Sequence, residues 1–378
     1  MLHRIVLSFD AQQPRDAKNT TTTTTMAAPD TIVLPPLRRV DSREAASIAN
    51  TLDAFLIPEL VHVVRAYVIV PWTGTITLVD VNKDLECTAV GGCSKDGNEF
   101  YVIFDEGVEE NEDTMSLRQQ ICKFRKSCGS SSEYRRVAMA SYSGFWLNRI
   151  LIRDSDGTVF VMMESEEHSV SILVFNSDML LMHLWPVPNG GSGSDDEDTI
   201  ELDVIPMDCG TNMVLTDSNE LCVTMDGILV FLDANDGTLS RVMKIPRHLN
   251  LRVDSFTMWG EDKLLVVHHL RDDLFSLCSM SLENGEVHHE MSLPNVSWKI
   301  QRGNSLPLIS ICGTMCGGCV LICIADQYDF NNRGKTFLVD PHTQHVVESY
   351  PNCFLSRSVC LPPRHVLSVN DGKLAVIA

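Results

Sequence analysis

No stretch of this sequence stays apolar for the roughly 20 residues that a membrane-spanning helix requires. The opening, Met1-Leu-His-Arg-Ile-Val-Leu-Ser-Phe9, is read as too short in apolar residues for a secretory leader. Positive charge is scarce: 30 Lys and Arg face 50 Asp and Glu, a formal net charge of −20. A field of that sign repels phosphate backbones and anionic headgroups, which argues against nucleic acid and membrane surfaces as partners. The chain also lacks a Gly-x-x-x-x-Gly-Lys-Ser/Thr cradle, a Gly-x-Gly-x-x-Gly turn, His-Glu-x-x-His and a Gly-x-Ser-x-Gly elbow. P-loop nucleotide hydrolysis, Rossmann-type cofactor binding, zinc peptidase and serine-elbow chemistry lose their sequence basis. Past residue 60 no sustained 3.6-residue period with caps occurs, so helices do not organise the bulk of the chain.

What the chain does have is one turn template, repeated. Asp233-Ala-Asn-Asp-Gly237 leads into Leu239, Met243 and Ile245 and stops at Pro246. Leu282-Glu-Asn-Gly285 leads into Val287, Met291 and Leu293 and stops at Pro294. Asp340-Pro-His-Thr-Gln344 leads into Val346 and Val347 and stops at Pro351. An apolar strand, a turn of residues that tolerate positive φ, and an alternating strand closed by proline make a hairpin. Further strands are expected at 61–70, 75–80, 99–104, 121–124, 134–139, 150–153, 158–163, 169–175 and 179–185, and similar runs continue to 373–377.

Grouped in fours, these give units near 93–141, 145–188, 200–246, 251–294 and 300–351. A C-terminal hairpin at 365–377 is left over, and pairing it with strands from 61–92 would complete a further unit and remove open sheet edges. The expected fold is therefore all-β: a β-propeller of six blades over 61–378, with seven left open by the strand count in 61–141. Ahead of it, residues 1–40 with the run Thr20 to Thr25 are expected to be a disordered tail. Residues 41–60 are expected to hold a short helix, with Asp41 and Glu44 as a capping box and Ala45, Ile48, Ala49, Leu52, Phe55 and Leu56 on one face. Glu106 to Glu112 and Asn189 to Asp198 read as solvated acidic loops.

Thirteen cysteines in 378 residues have neither the density nor the even count of a small disulfide scaffold. Cys222, Cys278 and Cys323 fall inside apolar strand patterns, where a free thiol behaves as a small hydrophobe. A reducing compartment, cytosol or nucleus, is the expectation. The Thr-rich start leaves three readings open: a disordered tail, translated sequence ahead of Met26, or an organellar transit peptide.

The hairpins ending at Pro246 and Pro294 resemble those of β-propellers of the kelch-related, quinoprotein-like and plant F-box-associated kinds. The blade-closing Trp-Asp of WD repeats and the paired glycines of kelch repeats are missing, and Leu34-Pro-Pro-Leu37 echoes only the start of an F-box. The resemblance implies a fold and transfers no functional residue.

Four clusters hold residue types that could make a site. Cys316-Gly-Gly-Cys319 has half a zinc-knuckle spacing, but the second half is missing, so Cys312, Cys316, Cys319 and Cys323 read as free thiols. His268-His269 and His288-His289 offer at most one ring each to a shared metal, because adjacent strand residues face opposite ways. Asp154-Ser-Asp-Gly157 opens like a calcium loop, yet Ser165 stands where the twelfth-position glutamate belongs. Lys123, Arg125, Lys126, Arg135 and Arg136 form the one basic concentration, read as a solvated hairpin face or, with Phe124 and Tyr134 nearby, as a contact for a phosphate or an acidic peptide. No catalytic, cofactor-binding or metal residue is assigned, and no cofactor is expected. The five tryptophans, about one per unit, read as packing between blades or as an exposed partner-binding rim. The functional expectation is a monomeric, non-catalytic module that binds another protein, as an adaptor, scaffold or substrate-recognition component. The rival is a metal-dependent propeller enzyme or small-molecule binder, with Asp154, Asp254 and Asn370 converging on a central channel.

Overall fold

In the computed structural model the period-two runs are strands, and each lies antiparallel to its neighbour. The structure describes residues 30–33, 76–78, 85–94, 96–105, 108–111, 114–116, 118–128, 133–143, 146–164, 169–188, 212–225, 228–246, 256–260, 262–269, 274–293, 307–312, 320–326, 335–342, 344–351, 356–361, 365–370 and 373–377. Two short strands come first, β1 (Thr31–Val33) and β2 (Ile76–Leu78). Next are β3 (Glu86–Gly91), β4 (Glu99–Asp105), β5 (Val108–Asn111), β6 (Thr114–Ser116), β7 (Arg118–Lys126) and β8 (Glu133–Ser143). Then follow β9 (Trp146–Arg153), β10 (Thr158–Glu164), β11 (Val170–Phe175) and β12 (Leu181–Pro186). The middle holds β13 (Met213–Leu215), β14 (Glu220–Met225), β15 (Ile228–Asp233), β16 (Leu239–Lys244), β17 (Phe256–Met258), β18 (Lys263–His269), β19 (Phe275–Ser281) and β20 (Val287–Ser292). Last are β21 (Pro307–Cys312), β22 (Val320–Asp326), β23 (Lys335–Asp340), β24 (His345–Pro351), β25 (Ser356–Leu361), β26 (His365–Asn370) and β27 (Lys373–Ile377).

These strands build six sheets of four or five strands, and β5 and β6 form a separate two-stranded one. Sheet one runs β1-β8-β7-β4-β3, and sheets two to five each take four consecutive strands, β9–β12, β13–β16, β17–β20 and β21–β24. Sheet six runs β2-β27-β26-β25, so a strand from the early chain pairs with the last one, Ile76 opposite Ile377 and Leu78 opposite Ala375. The first strands of the sheets touch in succession: β3 meets β9, β9 meets β13, and so on to β25, which meets β3. The protein is thus an all-β chain of four-stranded antiparallel sheets, an arrangement consistent with a propeller.

Burial follows position in the sheet. Second and third strands are covered on both faces and read as continuous apolar runs, as in Leu221–Met225 and Ile228–Asp233. Fourth strands are covered on one face and alternate, as in Leu239–Lys244. Apolar layers fill the spaces between successive sheets. Phe175 and Tyr101 lie between sheets one and two, Phe160 and Leu221 between two and three, and Phe231 and Phe256 between three and four. Phe275 and Ile322 lie between sheets four and five, while Phe100, Phe124, Leu374 and Val376 join sheet six to sheet one. Each buried Phe or Leu contributes about 1.5–3 kcal/mol, so these layers are the main attractive term.

The turn template is the link between third and fourth strands. Asp233 accepts a bond from Asn235 N at 2.7 Å, Asn284 from Glu286 N at 2.9 Å and Asp340 from His342 N at 2.9 Å. Positive φ falls at Gly237 (74°), Gly285 (73°) and Gln344 (56°). From each of four sheets, one side chain reaches the equivalent turn of the next. Lys123 Nζ donates to Ser177 O at 2.8 Å, Arg153 Nη1 to Ala234 O at 2.8 Å, and Arg241 Nη1 to Leu282 O. The fourth link is aromatic, Trp259 against His342 at 5.4 Å.

Three expectations change. Thr31–Val33 belongs to a sheet and not to a disordered tail, because Ile32 enters the apolar layer of sheet one. The strand at 86–91 is the innermost strand of sheet one and not part of the closing unit, since Cys87 and Val90 pack into the sheet one layer and Ala89 into the layer behind it. The acidic segment after Asp105 is not all loop: β5 and β6 pair as a small hairpin. The helix expected at 41–60, the strand expected at 61–70 and the linker at 189–198 lie outside the described residues. Among the described residues no helix is long and apolar enough to cross a membrane.

Candidate functional site

At the end of the molecule that carries the template turns, sheets one and two part around an open groove of about 710 Å3. The β3–β4 turn supplies Asp96 and Asn98, the end of β7 supplies Arg125, Lys126 and the following Cys128, and the β9–β10 turn supplies Asp154. Asp96 accepts from Ser94 Oγ at 2.7 Å and from Asn98 N at 3.0 Å, and these bonds hold its carboxyl below the ordinary carboxylate range. Glu99 takes Arg125 Nε at 2.6 Å on one oxygen and Lys123 Nζ at 2.9 Å on the other. The groove offers ion-pairing and hydrogen-bonding groups of both signs to a polar ligand, beside the exposed free thiol of Cys128.

The basic concentration read from the sequence is therefore largely neutralised. Lys123 is only 2% exposed and also lies 5.8 Å from the Tyr101 ring centroid. Arg135 pairs with Glu133 at 2.9 Å, and Arg136 pairs with Asp30. Alternation along β7 and β8 suggested an exposed basic face, but Glu99 and Asp30 come to it from positions distant in sequence. Only the register of the sheet brings them together.

Asp154-Ser-Asp-Gly157 is a tight turn in which Asp156 serves Arg153. Asp156 Oδ2 lies 2.6 Å from Arg153 Nη2, and Thr158 N donates to Oδ1 at 3.0 Å. The bond from Arg153 is the main cause of an Asp156 pKa held down to about 2. Arg153 then spans to Asn235 and Asn219 of sheet three, 3.0 and 3.3 Å away. The turn fastens sheets together.

The remaining candidates do not converge. Asp154 is exposed at a turn, Asn370 ends the second strand of sheet six and not an innermost strand, and Asp254 lies outside the described residues. His268 and the pair His288-His289 are separated by β19, opposite Ser276 on one side and Ser279 and Cys278 on the other. Cys323 is buried and takes a hydrogen bond from Thr336 Oγ1 at 3.2 Å, while Cys316 and Cys319 lie outside the described residues. Burial pushes the Cys122 thiol up to about 12 and raises Cys222 as well. Among the described residues no group of three or more His, Cys, Asp or Glu is placed to hold a metal.

A surface that the sequence reading passed over lies on the rim. Ten large apolar residues remain exposed among the described residues, and seven sit on or beside the fourth strands of sheets one to three. They are Val137 and Met139 on β8, Leu180, Met182 and Leu184 at β12, and Leu239 and Val242 on β16, between 41% and 59% exposed. The available signal was alternation in which both phases are apolar, as in Leu180-Leu181-Met182. Of the tryptophans, Trp185 is buried against sheet three, Trp259 is partly buried, and Trp146 is 45% exposed; Trp72 and Trp298 lie outside the described residues.

No family model and no curated protein matches the chain. Among solved structures it is similar to a streptogramin B lyase, with a TM-score of 0.43 and 9% identity over 80% of this chain and 97% of that one. It is also similar to a chain of a mitotic checkpoint complex, with a TM-score of 0.42 and 9% identity over 81% of this chain and 96% of that one. At TM-scores below one half neither likeness says what this chain does.

Proposed function

We propose that the six sheets are six blades of one closed propeller within 61–378, and that it serves as a non-catalytic module for binding another protein. The cyclic succession of first-strand contacts and the β2–β27 pairing support the closed ring. The apolar rim carries the functional reading. On a chain of net charge −20, seven aliphatic side chains on three successive rim strands form the kind of surface that marks a protein contact. Each rim strand also ends its sheet, apart from the three β8 residues that pair with β1, so backbone groups are on offer beside the side chains. Partners with a nucleic-acid backbone remain disfavoured by charge. We place the protein in the cytosol or nucleus, as a monomer before partner binding.

Affinity capture with the intact chain and with the double substitution Met182→Lys/Leu184→Lys tests the reading. A specific partner should be recovered by the first and reduced about tenfold or more by the second, the loss expected for two central anchors, with thermal stability unchanged. A partner retained equally by both would remove the rim from the reading. Stoichiometric calcium in the purified protein would favour the channel-centred enzyme instead.

A further inference from the structure

The outer edge of β8 already holds an added strand. β8 is 11 residues long, and β1 pairs with its first three, Thr31 opposite Arg135, Ile32 opposite Tyr134 and Val33 opposite Glu133. Arg136 N donates to Asp30 O at 2.8 Å, and the Arg136 guanidinium pairs with the Asp30 carboxylate. Ile32, 1% exposed, fills a site in the layer formed by Phe100, Phe124 and Tyr134, whose rings sit 5.4 and 5.0 Å from one another. Thr31 and Val33 point out to solvent. The edge thus reads two features of an extended chain: an acid at Arg136 and, two residues later, a branched aliphatic side chain in the pocket.

We propose that the β8 edge is a strand-addition site for an extended segment of a partner protein, carrying an acidic residue two positions before Ile, Val or Leu. Asp30–Val33 holds that site in cis. The inference rests on the interaction reading above and names the chemistry of one partner segment. Strand addition draws affinity from main-chain hydrogen bonds and specificity from alternate side chains, and the cis strand displays both at this edge. It uses only part of the edge. From Val137 to Ser143 no described strand pairs with the outer side of β8, and Val137 and Met139 stand exposed there. A partner strand that runs the length of β8 would add backbone bonds the three-residue cis strand does not make. Occupation in cis reduces the apparent affinity by the fraction of molecules whose edge is free.

The test uses the full chain and a fluorescein-labelled peptide with the sequence of residues 28–34, followed by fluorescence anisotropy. Ile32→Asp should empty the pocket in cis, and the peptide should bind this variant about tenfold or more tightly than it binds the unaltered chain. Adding Arg136→Glu, or using a peptide with Asp in place of its Ile, should abolish that binding. Asp30→Lys, which leaves the buried isoleucine in place, is a second route to a free edge should Ile32→Asp disturb folding. Absence of peptide binding to both variants, with circular dichroism showing folded sheet, overturns the proposal. So does a concentration-dependent dimer of the unaltered chain, which would make a second copy the occupant. A chain that still loses its partner through Met182 and Leu184, while the peptide fails on both variants, keeps the interaction reading and loses this one.

Discussion

Gly237 stands at φ 74° with its Cα facing the Trp185 indole of the preceding sheet. A Cβ there would overlap the ring carbons Cγ and Cδ2. Two costs then add: a left-handed conformation for a residue with a side chain, and overpacking of a buried tryptophan. Gly237→Ala should lose about 3 kcal/mol of stability. Gly260, at φ 76° with nothing within 4 Å of its would-be Cβ, is the control. Gly260→Ala should lose only about 1 kcal/mol, and urea unfolding of the two variants side by side separates packing from backbone strain. Asp156 works through charge. Its folded pKa of about 2 lies below the ordinary 3.8, so its contribution is complete above pH 4 and disappears as pH falls through about 2. Because the carboxylate is 47% exposed, water and salt screen the pair, and the contribution is at most about 1 kcal/mol. Asp156→Asn should therefore unfold about one to two degrees below the unaltered chain at pH 6, and most of the gap should be gone by pH 2. A constant gap across that range would assign the effect to the turn and not to the Arg153 pair.

At the scale of the element, legibility tracks burial. Third strands and their turns were visible because a continuous apolar run followed by Asp-Ala-Asn-Asp-Gly or Glu-Asn-Gly admits one local reading. Fourth strands alternate, as expected from a half-covered face. The innermost strands were mostly invisible: β13 and β17 are three residues long, and β3, β21 and β25 only six. A strand of three residues has too few positions to display a period, and only its neighbours on both faces define it. β3 is six residues long, but its own residues do not say which sheet it joins, and only its pairing with β4 places Cys87 and Val90 in sheet one. The candidate site was legible as a list of charges and illegible as a site. Lys123 and Arg125 share Glu99 because β4 and β7 lie in register, with Glu99 opposite Arg125 and Tyr101 opposite Lys123. Asp30 reaches Arg136 across more than a hundred residues. Side-chain chemistry can be read locally; pairing across that distance cannot.

For the whole molecule, the pairing of β2 with β27 puts an early strand and the last one in the same sheet. β27 also pairs with β26, and its Leu374 and Val376 enter the layer shared with sheet one. A chain that stops at Asp371 would leave β2 without its partner and β26 paired on one side only, and would lose about 4 kcal/mol from those two side chains alone. Against a net stability of about 5–15 kcal/mol, that loss is large. The shortened chain should melt about six degrees or more lower and bind a hydrophobic dye, whereas removing only Ala378 should change neither.

The same pairing governs how the protein can be made. Leu78 leaves the ribosome nearly three hundred residues before its partner strand is translated. Throughout that interval five sheets can assemble in order while Ile76–Leu78 waits without a ladder, so sheet six is completed only once the last strand has been made.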